Sequence, residues 1–315
     1  MSSTVPPHGG PAPARTFELV VVSYRSRAEV DGMLAGLPPD LPLALVDNYD
    51  DRDGLRHVVE ARPHGRYLTG GGVGFSRAAN LGARTSGADV LVFVNPDTRP
   101  TLSHVTTLVE DVVADERCSA SAAVVVDGDG RPLLGVGGWE PTLRRALVHA
   151  VGLHKVLPRS GIYCRPRRDE DVEVDWVAGS CMAVRRETFL ELGCFDEDFY
   201  VYNEDVSFGR QSRRFGMRPR LRTDVAVRGA TGGSGAPSLE MMQLRGASMS
   251  RYLHKHHRRL VAGATVAVLS AGFAARTAAH LLTADRTHAR EDWAYTTGLV
   301  TGRAIVAGRP VMTPA

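Results

Sequence analysis

The first hundred residues carry a rhythm that leaves few folds open. Four runs rich in aliphatic and β-branched residues, at 17–24, 43–48, 66–68 and 89–94, alternate with helix-like stretches at 27–36, 55–61 and 75–86. Runs of this length without strict polar alternation suit strands covered on both faces. Parallel neighbours need a crossover of a dozen or more residues, and a helix between each pair of strands supplies it. The spacing therefore predicts an α/β fold with a mainly parallel central sheet flanked by helices. Ligands of such sheets sit beyond the carboxyl ends of the strands. Two of the runs end on polar residues there, Asp47-Asn48 and Asn95-Pro96-Asp97.

The rest of the chain is less regular. A strand is expected at 118–126, followed by a hairpin turn at Asp127-Gly128-Asp129-Gly130, then a long excursion at 131–173 beside the cleft. Further expectations are a strand at 175–184, a short helix at 186–192, a helix at 205–215 and a last strand at 221–227. The alanine-rich stretch 239–307 is expected to be mostly helical. A hydrophobic share of 43% in 315 residues is ample for one large core or two modest ones. The net charge of +3 does not by itself argue for nucleic acid. Cys118, Cys164, Cys181 and Cys194 form no CxxC and no Cys/His ligand spacing, which fits a reduced cytoplasmic setting better than a disulfide or zinc framework. Residues 1–14 are rich in Pro, Gly and Ser, lack the pattern of a secretion signal and are expected to be a floppy tail. The longest apolar stretch, 260–275, is short for a bilayer span and ends at Arg276.

Several residues have chemistry to offer. Asp47 can accept an imide N–H from a uracil or thymine base, or it can cap a turn. The loop Gly70-Gly71-Gly72-Val73-Gly74 runs into a helix and presents backbone N–H groups to phosphate, with Arg77 adding charge. Its spacing is not the dinucleotide fingerprint, and it follows the third strand where that fingerprint follows the first. Asp97 is suited to a hard divalent cation facing a diphosphate, or to a turn. The stretch 193–206 sets five carboxylates among aromatic residues, and Glu204-Asp205 open a helix. One of that pair can take a proton from an attacking hydroxyl; helix-start acids also complement the macrodipole.

Taken in order, these segments resemble the family 2 glycosyltransferases, specifically the rhamnosyltransferase-like branch. The matching text is Val21-Val22-Ser23-Tyr24-Arg25-Ser26, Val46-Asp47-Asn48, the stretch from Gly74 to Gly82, Asn95-Pro96-Asp97-Thr98, the stretch from Trp176 to Arg186, and Gly193 to Val206. It covers roughly 16–235. The resemblance implies a GT-A fold, a dTDP- or UDP-sugar donor (rhamnose by family likeness) and inversion at the anomeric carbon. It implies that 16–130 is the donor half, 131–235 the acceptor and catalytic half, and 236–315 a helical extension. It implies donor contacts from Ser23, Tyr24, Asp47, Gly74, Arg77, Asn80, Asn95, Asp97, Trp176, Gly179 and Arg228. Asp97 would be the metal ligand for Mg or Mn, Asp205 the catalytic base, and Glu204 its orienting partner. The acceptor would be a glycan, a polyprenyl-linked saccharide or a small molecule.

The chain also departs from that pattern. The histidine common near the glycines after the last strand is absent; Arg228-Gly229 stand there, which puts the metal in question and offers Arg228 as a fixed cation. Ala79 replaces the arginine common before the loop asparagine, with Arg77 as a substitute. A basic run at 251–259 precedes the apolar 260–275. It suits either contact with the inner face of an anionic membrane or a packed helix, a dimer contact included. Two rivals remain open at this stage, a nucleotidyltransferase and a catalytically inactive binding subunit.

Overall fold

The computed structural model describes residues 15–157, 159–165, 167, 171–229 and 239–312. The expected N-terminal tail and the glycine-rich 230–235 lie outside the described residues, apart from residue 15 itself. β1 (Phe17–Ser23), α1 (Arg27–Leu34), β2 (Leu43–Asp47), α2 (Leu55–Glu60), β3 (Gly65–Thr69), α3 (Phe75–Thr85) and β4 (Val90–Val94) follow the expected rhythm to within two residues. β1 pairs in parallel with β2 and β4, and β2 with β3. Every residue of β2 and β4 is buried, which is why these strands show no polar alternation. Leu19, Val21, Val90, Val92 and Val94 face one core together with α1, while Val20, Leu91 and Phe93 face another against α3.

The second half contains β5 (Thr98–Arg99), α4 (Leu102–Ala114), β6 (Cys118–Val126), β7 (Gly137–Gly138), α5 (Leu143–Ala150), β8 (Asp171–Glu173), β9 (Trp176–Val177), β10 (Cys181–Arg185), α6 (Arg186–Glu191), α7 (Glu204–Arg214) and β11 (Arg218–Gly229). The main sheet runs β3-β2-β1-β4-β10-β6-β11-β5, with β8 beside β11. β10 runs antiparallel to β4 and β6, so it brings its amino end to the edge where the parallel strands end. The single strand expected at 175–184 is two pieces. A turn at Gly179-Ser180 lets β9 pair with β7 while β10 enters the main sheet. The excursion is not irregular throughout, since α5 forms within it. The expected turn at 127–130 is present, closed by Asp127 N–H donating to the Arg131 carbonyl at 2.9 Å. All four cysteines are free and buried.

α8 (Leu239–His256), α9 (Arg259–Leu282) and α10 (Arg286–Thr301) follow, and the helical stretch ends at Gly302, in the left-handed region, before a hairpin of β12 (Ala304–Val306) and β13 (Arg309–Met312). α8 and α10 approach backbone to backbone: a Cβ on Gly298 would stand 1.9 Å from the Gln243 carbonyl oxygen. The helices are built into the second half of the α/β region. Ile162, Trp176, Phe199 and Val206 share one core with Met249, Tyr252, Leu253 and Tyr295. Part of the basic run is engaged in this junction, while Arg258 and Arg259 are exposed. Lys255 pairs with Asp196 and Asp198 at 2.6 and 2.7 Å, and His257 faces Glu140 at 3.6 Å. Among the described residues no cluster of three metal-ligating side chains exists, there or elsewhere.

Candidate active site

The register brings the polar strand ends to one edge. Ser23 lies beside Asp47, Asp47 beside Thr69, and Val94 beside Cys181. Gly229 at the end of β11 pairs with Thr98, next to Asp97. The 200–205 loop joins the same edge through Phe75 N–H, which donates to the Tyr200 carbonyl at 2.7 Å.

Asp47 is fully buried, and its carboxylate is already engaged. It accepts from the backbone N–H groups of Tyr49 and Asp51 at 2.7 and 2.8 Å and from the Tyr67 hydroxyl at 2.7 Å. A carboxylate offers about four acceptor positions, so three are spent, two on shaping the 48–54 loop and one on Tyr67 of β3. That loop carries acceptors that the sequence reading missed. Asn48 Oδ1 and both carboxylate oxygens of Asp53 are buried without a hydrogen-bond partner among the described residues. Burial, then the nearby Asp47 charge, raises the Asp53 pKa. A buried acceptor without a donor is costly, and a base edge supplies N–H donors. The sequence analysis gave Asp53 no role; the signal available was the Asp53-Gly54 pair just before the helix-like stretch 55–61. Ser23 is buried, and its hydroxyl is hydrogen-bonded to that of Ser26 at 2.8 Å. Tyr24 is exposed, set edge-on to Tyr49, with Arg25 over both rings.

Gly74 is held from two sides. Asn48 Nδ2 donates to its carbonyl at 3.0 Å, and a Cβ there would stand 2.4 Å from the Tyr200 carbonyl oxygen at φ +91. Gly71 also has positive φ but faces nothing within 4 Å. Gly74→Ala is expected to lose about 1–3 kcal/mol and to raise the donor KM, whereas Gly71→Ala should affect stability less. Thermal denaturation of the two variants makes the comparison. Two expected donor contacts are corrected here. Asn80 is buried and donates to the Phe195 carbonyl and Glu197, while accepting from Phe195 N–H. Arg77 faces Glu197 at 3.7 Å. Asn80 anchors the 195–197 turn onto α3 and pairs its buried backbone groups, while Arg77, mostly exposed, reaches only the Glu197 carboxylate.

Asn95 donates to the Ser180 hydroxyl, and its own N–H bonds the Ser180 carbonyl. Gly179 therefore sits over the sheet edge, in contact distance of Phe75. Asp97 is half-buried; burial raises its pKa, and the neighbouring Arg99 opposes the rise. No ion pair joins it among the described residues, so its desolvated carboxyl suits a divalent cation held mostly by a diphosphate. Arg228 is exposed on the strand pair with Arg99.

Glu204 and Asp205 open α7 after Tyr202 and Asn203, both in the left-handed region. Glu204 is buried, with Oε2 unpartnered among the described residues, and its pKa is raised by burial and by Asp205. Asp205 is half-buried and accepts from Val206 N–H at 2.7 Å; burial pushes its pKa up to about 6. Arg245 of α8 favours its charged form and stacks over Tyr202 at 4.6 Å. Sequence reasoning missed Arg245, which lies forty residues away on a helix whose role only packing reveals. Trp176 is corrected too: its indole is buried, donates to the Trp139 carbonyl and meets Tyr163 edge-on, so the ring belongs to the core behind α7.

The chain is similar to known glycosyltransferases. The chain is 29% identical over 212 residues to N-acetylglucosaminyl-diphospho-decaprenol L-rhamnosyltransferase of Mycobacterium tuberculosis, covering 61% of this chain and 68% of the relative. It is 24% identical over 212 residues to rhamnosyltransferase WbbL of Escherichia coli, covering 64% and 78%. The chain is thus similar to family 2 glycosyltransferases of the rhamnosyltransferase-like type, and its relatives support a glycosyltransferase enzyme. No family profile matches the glycosyltransferase. Its fold is similar to the mannosyltransferase PcManGT from Pyrobaculum calidifontis, solved with GDP-Man and Mn2+, with a TM-score of 0.58 at 16% identity over 92% of this chain and 88% of that one. GalNAc-T7, solved with UDP, GalNAc and Mn2+, gives 0.52 at 13% identity over 86% and 58%. The glycosyltransferase thus has the GT-A fold expected of its sequence.

Proposed function

We propose that the enzyme transfers rhamnose from a pyrimidine nucleoside diphosphate to a hydroxyl of a polyprenyl-linked saccharide, with inversion. The observation that carries the catalytic part is the buried Glu204–Asp205 pair on a loop hydrogen-bonded to the glycine-rich turn. The sugar and the acceptor class are supported by the names of its relatives. Asp205 takes the proton of the acceptor hydroxyl while the oxygen bonds to the anomeric carbon and the bond to the diphosphate breaks on the opposite face. Glu204, the more buried acid, packs beside Asp205 and keeps the site dry. The 48–54 loop, shaped by Asp47, receives the base, with Asn48 Oδ1 and Asp53 as its free acceptors. Arg228 and the backbone N–H groups after Thr69 face the diphosphate. Asp97 and that diphosphate would hold Mg or Mn, which neutralises charge on the leaving group when bound.

Thermal shift with dTDP-rhamnose, UDP-sugars and GDP-sugars tests the donor, because a ligand that binds only the folded state raises Tm by mass action. A pyrimidine donor is expected to shift Tm and the guanosine donor is not; the reverse result overturns the reading of the base loop. Transfer to a polyprenyl diphosphate saccharide, with NMR of the product anomer, tests acceptor and inversion.

The pH dependence has a definite sign. A base must be ionised, so kcat is expected to fall as pH drops through about 6, the raised value for Asp205. Stability moves the other way. Between its ordinary value and about 6, Asp205 holds more protons folded than unfolded, so its contribution weakens as pH rises through that window. Asp205→Asn should flatten this part of a Tm-versus-pH curve.

A further inference from the structure

α8 carries a guanidinium, that of Arg245, up to the catalytic loop, and the helix is pinned there. The Ser248 hydroxyl donates to the Val201 carbonyl at 2.8 Å, and Leu244 and Ala247 share a core with Tyr200, Val201 and Tyr202. Against α10 the fit is equally close, since a Cβ on Gly246 would stand 2.1 Å from the Tyr295 carbonyl oxygen. Arg245 is thus held by a rigid helix beside the loop that leads into Glu204, with its guanidinium over the Tyr202 ring at 4.6 Å. Its charge also reaches the phenols of Tyr163 on the excursion and Tyr295 on α10, and the Asp205 charge reaches Tyr163 as well.

This cation is not spent on the fold. Arg245 is exposed, and no ion pair joins it among the described residues. Asp205 feels its charge without pairing with it. Arg276, which reaches the same two phenols, is taken up by Asp292 at 3.0 Å. The segment 230–238, which precedes α8 and lies outside the described residues, contains no acidic residue. A guanidinium offers five N–H donors in a planar fork that matches phosphate oxygens, and phenol hydroxyls donate to the same oxygens.

We propose that Arg245 binds the phosphate of the acceptor while Asp205 receives the acceptor hydroxyl, so that the helical extension completes the acceptor site. The position favours the acceptor's phosphate over the donor's. The neighbours of Arg245 come from the excursion, α10 and the loop before α7, whereas the groups assigned to the donor lie at the ends of β2, β4 and β11. The spacing favours it too. A diphosphate-linked saccharide carries its hydroxyls and its phosphate on one sugar ring, a few bonds apart. That suits a base and a cation that stand near each other and remain unpaired. A neutral glycan would give the guanidinium nothing to neutralise. The inference deepens the acceptor reading above and rests on it for the identity of the anion.

The test is calorimetric binding of a short-chain prenyl diphosphate saccharide and of the matching neutral alkyl glycoside to the full chain, each in saturating dTDP so that the donor site is filled. Wild type is expected to prefer the diphosphate compound. Arg245→Gln should weaken that compound by about 30-fold, the worth of a hydrogen bond between charged groups, and leave the neutral glycoside unchanged. Arg245→Lys keeps the charge and the aliphatic stem but not the fork, so its loss should be smaller and confined to the same compound; it carries the test if the Gln variant fails to fold. Tm and the dTDP-induced shift are measured on each variant and are expected to match wild type. Binding of neither compound, equal affinity for both, or an equal loss for both in the variants overturns the proposal. Displacement of the diphosphate compound by dTDP would put its phosphate in the donor site and overturn it too. Diphosphate-selective binding that depends on Arg245, without transfer to the bound compound when dTDP-rhamnose replaces dTDP, would instead strike the reading of the reaction and leave the phosphate contact standing.

Discussion

Asp205→Asn is expected to lower kcat by about 10³-fold while the nucleotide-sugar still raises Tm. The substitution keeps size and hydrogen-bonding capacity, and it removes the acceptor for the hydroxyl proton. Asp205 is half-buried, its pKa is raised, and its Oδ1 accepts from Val206 N–H, so the side chain is oriented before any acceptor arrives. Steady-state transfer assays and thermal shift on the same preparation separate the two effects. Wild-type turnover in the variant would remove Asp205 as the base. Glu204→Gln serves as the companion. Burial raises the Asp205 pKa, and Glu204, raised by burial and by Asp205, is already neutral where Asp205 titrates, so the acid limb of the kcat profile should stay near pH 6.

Glu140→Ala is expected to be the most destabilising single change. Glu140 is mostly buried at the start of the excursion and forms ion pairs with Arg210 and Arg213 of α7. It also accepts from the Tyr252 hydroxyl at 3.0 Å, and Tyr252 is a fully buried side chain of α8. One carboxylate therefore joins the excursion, the catalytic helix and the C-terminal helices. Removing it strands the partly buried Arg210 guanidinium and leaves Arg213 one ion pair, at 3.5 Å with Asp175, at a cost of about 3 kcal/mol, which for a chain of this size corresponds to a Tm drop of about 10 °C. Glu60→Ala is the control, since its pair with Arg56 is exposed on both sides and should be worth under about 0.5 kcal/mol. Calorimetry on both variants measures the difference. A Glu140→Ala loss no larger than the control would mean that the helices dock by apolar contact alone. Because α7 carries Glu204 and Asp205, kcat should fall along with Tm.

The donor half was legible because its signals are local. Strand 43–47 ends on Asp47, and strand 90–94 ends on Asn95, for reasons written in neighbouring residues. Arg77 and Asn80 show the limit of such reading. Their spacing in the helix after the glycine loop suits a ligand, yet they close on Phe195 and Glu197, more than a hundred residues away. Trp176 was misread for the same reason. An indole that follows a short strand can line a cleft or fill a core, and the choice is made by Tyr163 and Trp139 on the excursion.

Hydrophobic period, strand-end carboxylates and the order of the motifs were enough to determine an α/β sheet with its ligand edge, because periodicity and chain order are properties of consecutive residues. Only the tertiary structure decided which polar groups at that edge stay free. A carboxylate, guanidinium or amide is available for chemistry only where folding has not already given it a partner, and those partners come from distant parts of the chain. Asp47 was taken up by its own loop and by Tyr67, Asn80 by the 195–197 turn and Glu140 by two arginines, while Asp53, Asp97 and Glu204 kept acceptor atoms without an ion-pair partner.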